Sequence, residues 1–256
     1  MFRNRSLSAL LPVLLLSVAI VLSALTIARA FVKTRSSDDG IRVIGSARKP
    51  IRSDFIIWKG RVTQTAPTVT VAYAQLKTNI SKVESYLRSK GVPQTEIIPN
   101  AVNIKTLYAK VAGETYSPSD DDSSAGFYRP VQGYQLSQEI EVRSSNVPLV
   151  DGISRQSTEL ISSGVPFSSA APMYLYTKLS DLKVTMQAEA ARDARARAEQ
   201  IATNSGCRLG AVRSARMSAP AITPLYSTSE SDGGVDDTSS LDKKITAVVV
   251  VSYAAE

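Results

Sequence analysis

Histidine is missing from the 256 residues, and cysteine occurs once. Without an imidazole there can be no His-based triad, no His general base and almost none of the zinc-hydrolase ligand sets, all of which use a ring that titrates or ligates near neutral pH. A single cysteine closes no internal disulfide and makes neither a CxxC redox pair nor a thiolate metal cage. Acidic residues are absent from residues 1–35, which carry Arg3, Arg5, Arg29, Lys33 and Arg35. Those five account for most of the formal net charge of +7, because 25 basic and 23 acidic residues remain in the rest of the chain. The basic balance therefore belongs to the N-terminal segment and does not mark a polyanion-binding surface. The length suits one sizeable domain or two small ones, either able to bury a core without staples.

Between Arg5 and Arg29 lie twenty-two uncharged, mostly apolar residues, Leu7 to Ala28. As a helix they would extend about 33 Å, enough to cross a hydrocarbon core of ~30 Å. Two readings compete. Ala28-Arg29-Ala30 has the A-x-A form of a signal-peptidase site, which would leave a soluble periplasmic protein cut near Ala30. The apolar run is longer than a signal-peptide core, and an arginine sits inside the site. The reading adopted is thus an uncleaved signal anchor (residues 1–35, span about 7–28), single-pass in the inner membrane. Two basic residues before the span and three after it leave its orientation undecided by charge. The bulk of the chain is placed outside the cytoplasm because the segment resembles an export signal either way.

After a linker (36–40), two stretches rich in β-branched residues, Ile41 to Ile51 and Asp54 to Ala66, flank a turn at Pro50 to Ser53 and are expected to pair as a hairpin. In the second, Ile56, Trp58 and Val62 share one face, with Phe55 and Ile57 on the other. Pro67 opens an expected helix whose apolar positions Val69, Ala72, Leu76, Ile80, Val83 and Leu87 recur every three or four residues. Gly91 is its left-handed stop. Ile97, Ile98 and the run Asn100 to Val111 are expected as a strand. A polar loop, Gly113 to Gly126, and a return arm, Tyr128 to Arg143, follow. On that arm Tyr134, Leu136, Gln138, Ile140 and Val142 alternate with Gln135, Ser137, Glu139 and Glu141, the pattern of a half-buried antiparallel strand.

The second half repeats the plan. A helix is expected over Pro148 to Ser163, stopped by Gly164, then an extended stretch from Val165 to Thr177. A longer helix, capped by Ser180 and running to about Ser205, would bury Leu182, Met186, Ala190, Ala194, Ala198 and Ile201 and pair Asp193 with Arg197 and Arg195 with Glu199. Gly206 stops it. A strand (Leu209 to Ser218), a loop (Ala219 to Leu241) and a last strand (Lys243 to Ala255) complete the chain. The expected fold class is α+β: pseudo-duplicated helix-plus-antiparallel-sheet units with long hairpins, in halves of about 41–145 and 146–256, preceded by one transmembrane helix.

Candidate chemistry is sparse. Ser46/Lys49, Ser180/Lys183 and Ser240/Lys243 match S-x-x-K, which as a nucleophile–base pair needs a desolvated lysine beside the hydroxyl. In so serine-rich a chain the pattern arises by chance, and no S-D-N or K-T-G partner accompanies it. Asp120, Asp121 and Asp122 in one loop, and Asp232, Asp236 and Asp237 in the other, are the only metal candidates. Neither loop has EF-hand spacing, and solvated loops are the default. Cys207, just after a helix stop, reads as a buried inert thiol, although neighbouring Arg208 would suit a reactive one. Arg192, Arg195 and Arg197 interleave with Glu189, Asp193 and Glu199 and lack stacking aromatics, so nucleic acid is not expected. Tyr108, Tyr116, Tyr128 and Tyr134 lie on or near the hairpin arms, where protein contact and strand packing are both open readings.

The stretches IRVIGSARKPIRSDFIIWKGRV, LRSKGVPQTEI with NIKTLY, GYQLSQEIEV, ISSGV, and AARDARARAEQIATNSGCRLGAV followed by VVVVSY occur in this order between Ile41 and Tyr253. In that order they resemble the SIMPL-domain family of bacterial periplasmic and envelope proteins. The strongest motif is the Ala/Arg helix followed by G-x-x-L-G, here Gly206 to Gly210. The resemblance implies an extracytoplasmic α+β domain (41–256), large homo-oligomers in some members, an association with envelope or oxidative-stress defence, and no established reaction. The function expected is that of a non-catalytic envelope module, attached to the membrane through its N-terminal helix, self-associating and without a cofactor. The competing expectation is an ion- or ligand-binding stress protein using the acidic loops, and the third is a hydrolase.

Overall fold

The computed structural model describes residues 40–109, 130–228 and 236–256, with Ser23, Ala24 and Thr26. The expected span Leu7 to Ala28 lies, those three residues apart, outside the described residues. Among the described residues no helix is long and apolar enough to cross a membrane.

The described chain is α+β with antiparallel sheets. Its elements are β1 (Gly40–Arg52), β2 (Phe55–Ala66), α1 (Val69–Ser89), a 3-10 turn (Gln94–Glu96), β3 (Ile97–Tyr108), β4 (Val131–Ser144), α2 (Val147–Gln156), α3 (Glu159–Ser162), β5 (Phe167–Ser169), β6 (Met173–Leu175), α4 (Leu179–Asn204), β7 (Leu209–Met217), β8 (Ala221–Pro224) and β9 (Asp242–Ala255). One sheet runs β3-β4-β2-β5, with β6 also on β2; the other runs β1-β9-β7, with β8 on β9. Two compact units interleave in sequence. Of the described residues, 40–47, 184–220 and 247–256 form one, and 48–109, 130–183, 221–228 and 236–246 the other.

In the larger unit the alternation read from sequence sets the layers. Ile56, Trp58 and Val62 of β2 and Leu136, Ile140 and Val142 of β4 are buried on one sheet face. The antiparallel register places Trp58 opposite Val142 and Gly60 opposite Ile140. α1 lies against β2 and β4, burying Ala72, Leu76, Ile80, Val83 and Leu87 in the same core. Thr68, rather than Pro67, caps the helix, its hydroxyl accepting from Val71 N–H, and the expected core residue Val69 is exposed in the first turn. At the other end Gly91 adopts φ +96°, Gly91 N–H bonds Arg88 O at 3.0 Å and Val92 N–H bonds Leu87 O at 3.1 Å. This is a Schellman stop, with buried Val92 supplying its apolar contact.

The smaller unit packs α4 on its strands through alanine. Met186, Ala190, Ala194, Ala198 and Ala202 are buried. Glycine at position 45 of β1 is what permits the approach, because a Cβ there would collide with Ala190 O and Ala194 N of the helix backbone. On β9 the buried residues are Ala247, Val249, Val251 and Tyr253.

Several expectations are corrected. β1 and β2 are strands but not a hairpin: they belong to different sheets. Their two-residue link gives its donors elsewhere, Ser53 N–H to Leu241 O and Asp54 N–H to Leu175 O, both at 3.0 Å. The expected helix 148–163 is two helices, α2 and α3. Ser154 and Ser157 turn their hydroxyls onto the carbonyls of Asp151 and Ser154 at the break, a local competition that disfavours helix continuation. The extended stretch 165–177 consists of two short strands, β5 and β6, both on β2. α4 starts at Leu179, with Lys178 O accepting Leu182 N–H at 3.4 Å, so Ser180 sits inside the helix and is not its cap. Ile201 is 45% exposed and Ala202 takes its buried place, because burial follows an unbroken i,i+4 row. The expected loop 219–241 contains β8, whose Ala221, Ile222 and Thr223 are buried.

Candidate functional site

Strand β9 alternates strictly, and the phase that buries Ile245, Ala247, Val249, Val251 and Tyr253 also turns Lys243 inward. Lys243 is 2% exposed. A buried ammonium persists only where oxygens replace its water. Lys243 Nζ donates to Tyr174 O at 2.7 Å and to Asp237 O. Burial pulls the lysine below its ordinary value, while the carboxylates of Asp237 and Asp236 pull it back up. Tyr174 is itself held at its far end, its hydroxyl donating to Asp151 Oδ1 at 2.6 Å. Burial and that carboxylate push the phenol up to about 12. Asp151 also takes Arg155 at 2.5 Å. Burial alone would raise the Asp151 carboxyl, but Arg155 and the Tyr174 hydroxyl outweigh it and hold it low.

These contacts decide what the expected chemistry can do. Lys243 is the desolvated lysine that a serine–lysine mechanism requires. Its Nζ, however, is committed to two backbone carbonyls, and the Ser240 hydroxyl bonds the Asp237 carboxylate. Lys243 meets Tyr174 at the carbonyl and not at the phenol, so the two do not form an acid–base pair either. Lys183 lies 3.8 Å from Asp236. Among the described residues no hydrogen bond joins serine to lysine in any of the three S-x-x-K matches.

Of the metal candidates, Asp120, Asp121, Asp122 and Asp232 lie outside the described residues. Asp236 faces Lys183. Asp237 Oδ1 accepts both the N–H (2.9 Å) and the hydroxyl (2.6 Å) of Ser239. Burial would raise the Asp237 carboxyl, but those bonds, Ser240 and Lys243 together hold it low. It closes a local turn, and its Oδ2 is buried without a partner. Among the described residues no group of three or more metal-type side chains converges.

Cys207 is half-buried and unpaired. Its N–H bonds Ala202 O at 3.0 Å beyond Gly206 at φ +72°, the stop geometry of α1 over again. The thiol turns back onto the same carbonyl at 3.5 Å. On α4 the expected pairs form, Arg197–Asp193 and Arg195–Glu199, both at 2.9 Å. Asp193 also accepts Ser46 N–H at 2.8 Å, and that bond and Arg197 hold its carboxyl low. Tyr108 is 41% exposed and Tyr134 half-buried; Tyr116 and Tyr128 lie outside the described residues.

Sequence reasoning missed a second buried charge. Glu141 falls on the phase of β4 expected to face water, yet is 6% exposed. Lys59, its cross-strand partner, is 3.5 Å away, and Arg143 bonds it from two residues along. Burial would raise the Glu141 carboxyl; Arg143 and then Lys59 outweigh it and hold it low. The legible signal was the pairing of Lys59 with Glu141, which needs the strand register. For Lys243 the signal was in the sequence: the two-residue phase of β9 runs through it.

The family model SIMPL, described as a protein of unknown function (DUF541), matches residues 41–253. No curated protein matches the chain. The matched span begins within β1 and ends within β9, so it takes in strands of both sheets and helices α1 to α4. On that match the chain belongs to the SIMPL family, whose function is unknown.

Proposed function

We propose that this SIMPL-family chain is a non-catalytic structural or interaction module of the cell envelope, held to the inner membrane by an uncleaved N-terminal anchor with its domain in the periplasm, and self-associating. The observation that carries the reading is β7. It is bonded to β9 on one side, and seven successive residues, Ala211 to Met217, are exposed on both faces. A strand that presents both faces and, among the described residues, an unpaired edge is a template for association with another chain. Val212 and Met217, each more than half exposed, add apolar surface to it. The anchor rests on the twenty-two-residue apolar run, and the setting in envelope or oxidative-stress defence rests on the family resemblance.

The pseudo-duplication belongs to the same reading. α1, Gly91, β3 and β4 correspond in order to α4, Gly206, β7 and β9: helix, left-handed glycine, strand, polar connection and antiparallel return. Superposition of the two runs, each on its own backbone, tests it; helices that fall on opposite faces of their strand pairs would refute it.

Two measurements test the rest. Mass spectrometry of protein purified from membranes is expected to recover peptides within Leu7 to Ala28, and an N-terminus at Phe31 would refute the anchor. Light scattering of the detergent-solubilised full chain at micromolar concentration is expected to give an oligomer; a monomeric mass would refute self-association.

A further inference from the structure

The two sheets carry different chemistry on the faces that their long helices leave open. In the larger unit, the face turned away from α1 has charges of both signs that meet across strands. Lys59 pairs with Glu141 and Arg61 with Glu139, and Arg143 also reaches Glu141. Opposite charges side by side suit a strand surface that meets water. The smaller unit lacks that pattern. α4 covers the phase of its sheet that includes Gly45 and the buried Val43, Ala247, Val249 and Val251. The other phase points away from the helix. It presents Arg42 and Ile44 on β1, Val248 and Val250 on β9, and Arg216 on β7, which the register sets opposite Val250. Ile44 is 58% exposed, Arg42 and Arg216 are exposed, and Val248 and Val250 are half-buried.

Because β9 lies between β1 and β7, this face is apolar along its middle and carries arginine on both flanking strands. Arg213 adds a third, its Nη1 3.9 Å from where a Cβ of Gly40 would stand. Among the described residues of the smaller unit the carboxylate on this phase is Glu256, beside Gly210, so the face stays net positive. Its first strand is also where the chain arrives from the proposed anchor. Eleven residues, 29–39, separate Ala28 from Gly40. At ~3.3–3.6 Å per residue they hold Gly40 within about 40 Å of the end of the apolar run. A tether of that length turns a weak contact into an intramolecular one at high effective concentration.

We propose that the open face of the smaller sheet docks on an anionic lipid bilayer, Arg42 and Arg216 taking lipid phosphates while Ile44, Val248 and Val250 meet the apolar margin of the headgroup layer. The tether in this proposal rests on the anchor reading; the chemistry of the face does not. A guanidinium suits the role because its planar fork bonds phosphate oxygens two at a time. Arginine beside aliphatic surface is the combination that binds an anionic interface, since charge attraction and apolar burial add there. Pairing of another chain at the β7 edge would extend this face sideways and leave it open.

The full-length chain, reconstituted into phosphatidylcholine vesicles with or without phosphatidylglycerol, tests this. A fluorophore is placed on Ile44→Cys in a Cys207→Ser background, and the vesicles carry a headgroup spin label that quenches it. Quenching is expected with phosphatidylglycerol and should fall severalfold without it, or in about 1 M salt, where the Debye length is ~3 Å. The same fluorophore on Ile201→Cys, exposed on α4, should stay unquenched. Arg42→Gln with Arg216→Gln should weaken docking about 25-fold, from roughly fivefold per charge at an anionic surface. Quenching at residue 44 no stronger than at 201, no stronger with phosphatidylglycerol than without it, or unchanged in the double variant would overturn the proposal. Flotation with the vesicles in about 1 M salt reads the anchor separately, because salt screens surface attraction but does not extract an inserted helix. A chain that stays behind refutes the anchor, and low-salt quenching at residue 44 still decides the docking.

Discussion

Among the described residues Lys243 and Glu141 are the two buried charged side chains, and they are satisfied differently. Lys243 is held by backbone: two carbonyls, of Tyr174 and Asp237, take its protons. Replacing it with Met keeps the volume but leaves both acceptors without a donor, so Lys243→Met is expected to lower stability by about 1–3 kcal/mol in urea unfolding. Its protonation adds a pH signature. Because burial lowers its pKa in the fold, the unfolded chain binds more protons between that lowered value and the ordinary lysine range. Below the phenol range, about pH 10, stability should therefore rise with pH and Lys243→Met should abolish the rise; above it Tyr174, whose pKa folding raises, works in the opposite sense. Glu141 is held by side chains that are themselves about half exposed, Lys59 and Arg143. Removing its charge strands no buried cation, and Glu141→Gln is expected to cost only about 1 kcal/mol at neutral pH.

At the scale of elements, the helix stops and the helix–strand contact carry the most constraint. Gly91, Gly164 and Gly206 are the described residues with positive φ, and all three were legible as glycine stops because the left-handed region admits glycine without a Cβ clash. At Gly206 an added Cβ meets nothing within 4 Å. Gly206→Ala should therefore cost only the backbone strain, about 1 kcal/mol, seen as a lowered Tm. Gly45→Ala is different: its Cβ would enter the backbone of α4, which has no rotamer with which to yield, and the expected loss is about 1–3 kcal/mol or more. Ile201→Ala, on the exposed face, should fall within about 0.5 kcal/mol of the parent. The hairpin expected between β1 and β2 failed at this scale. Pattern and turn residues identify two strands, but pairing is long-range, and both found partners far away in sequence.

For the whole molecule, acid is the condition that should unfold it. Glu141, Asp151, Asp193 and Asp237 are all held below their ordinary values. A carboxylate depressed by folding adds stability that is complete above its unfolded pKa and is lost as pH falls through the folded one. Stability should thus be flat near neutrality and decline below about pH 4, with a shallower decline in Glu141→Gln; a midpoint in urea unchanged from pH 7 to pH 3 would contradict this. With no histidine in the chain, no side chain of that type adds a transition near pH 6.5.

How far the chain could be read in advance follows from the range of each interaction. Periodicity and breakers act within a few residues, and they alone determined the long strands, the two long helices, their glycine stops and the alanine face of α4, while composition alone excluded imidazole chemistry. They also drew in sequence the apolar N-terminal run that the proposed anchor uses. Tertiary structure decided which strands pair, since that depends on neighbours more than a hundred residues apart, such as Trp58 with Ser169 or Ser46 with Asp193. It decided equally that Lys243 faces carbonyls and not a serine, because burial and hydrogen-bond partnership are properties of the packed interior and not of any local run of residues.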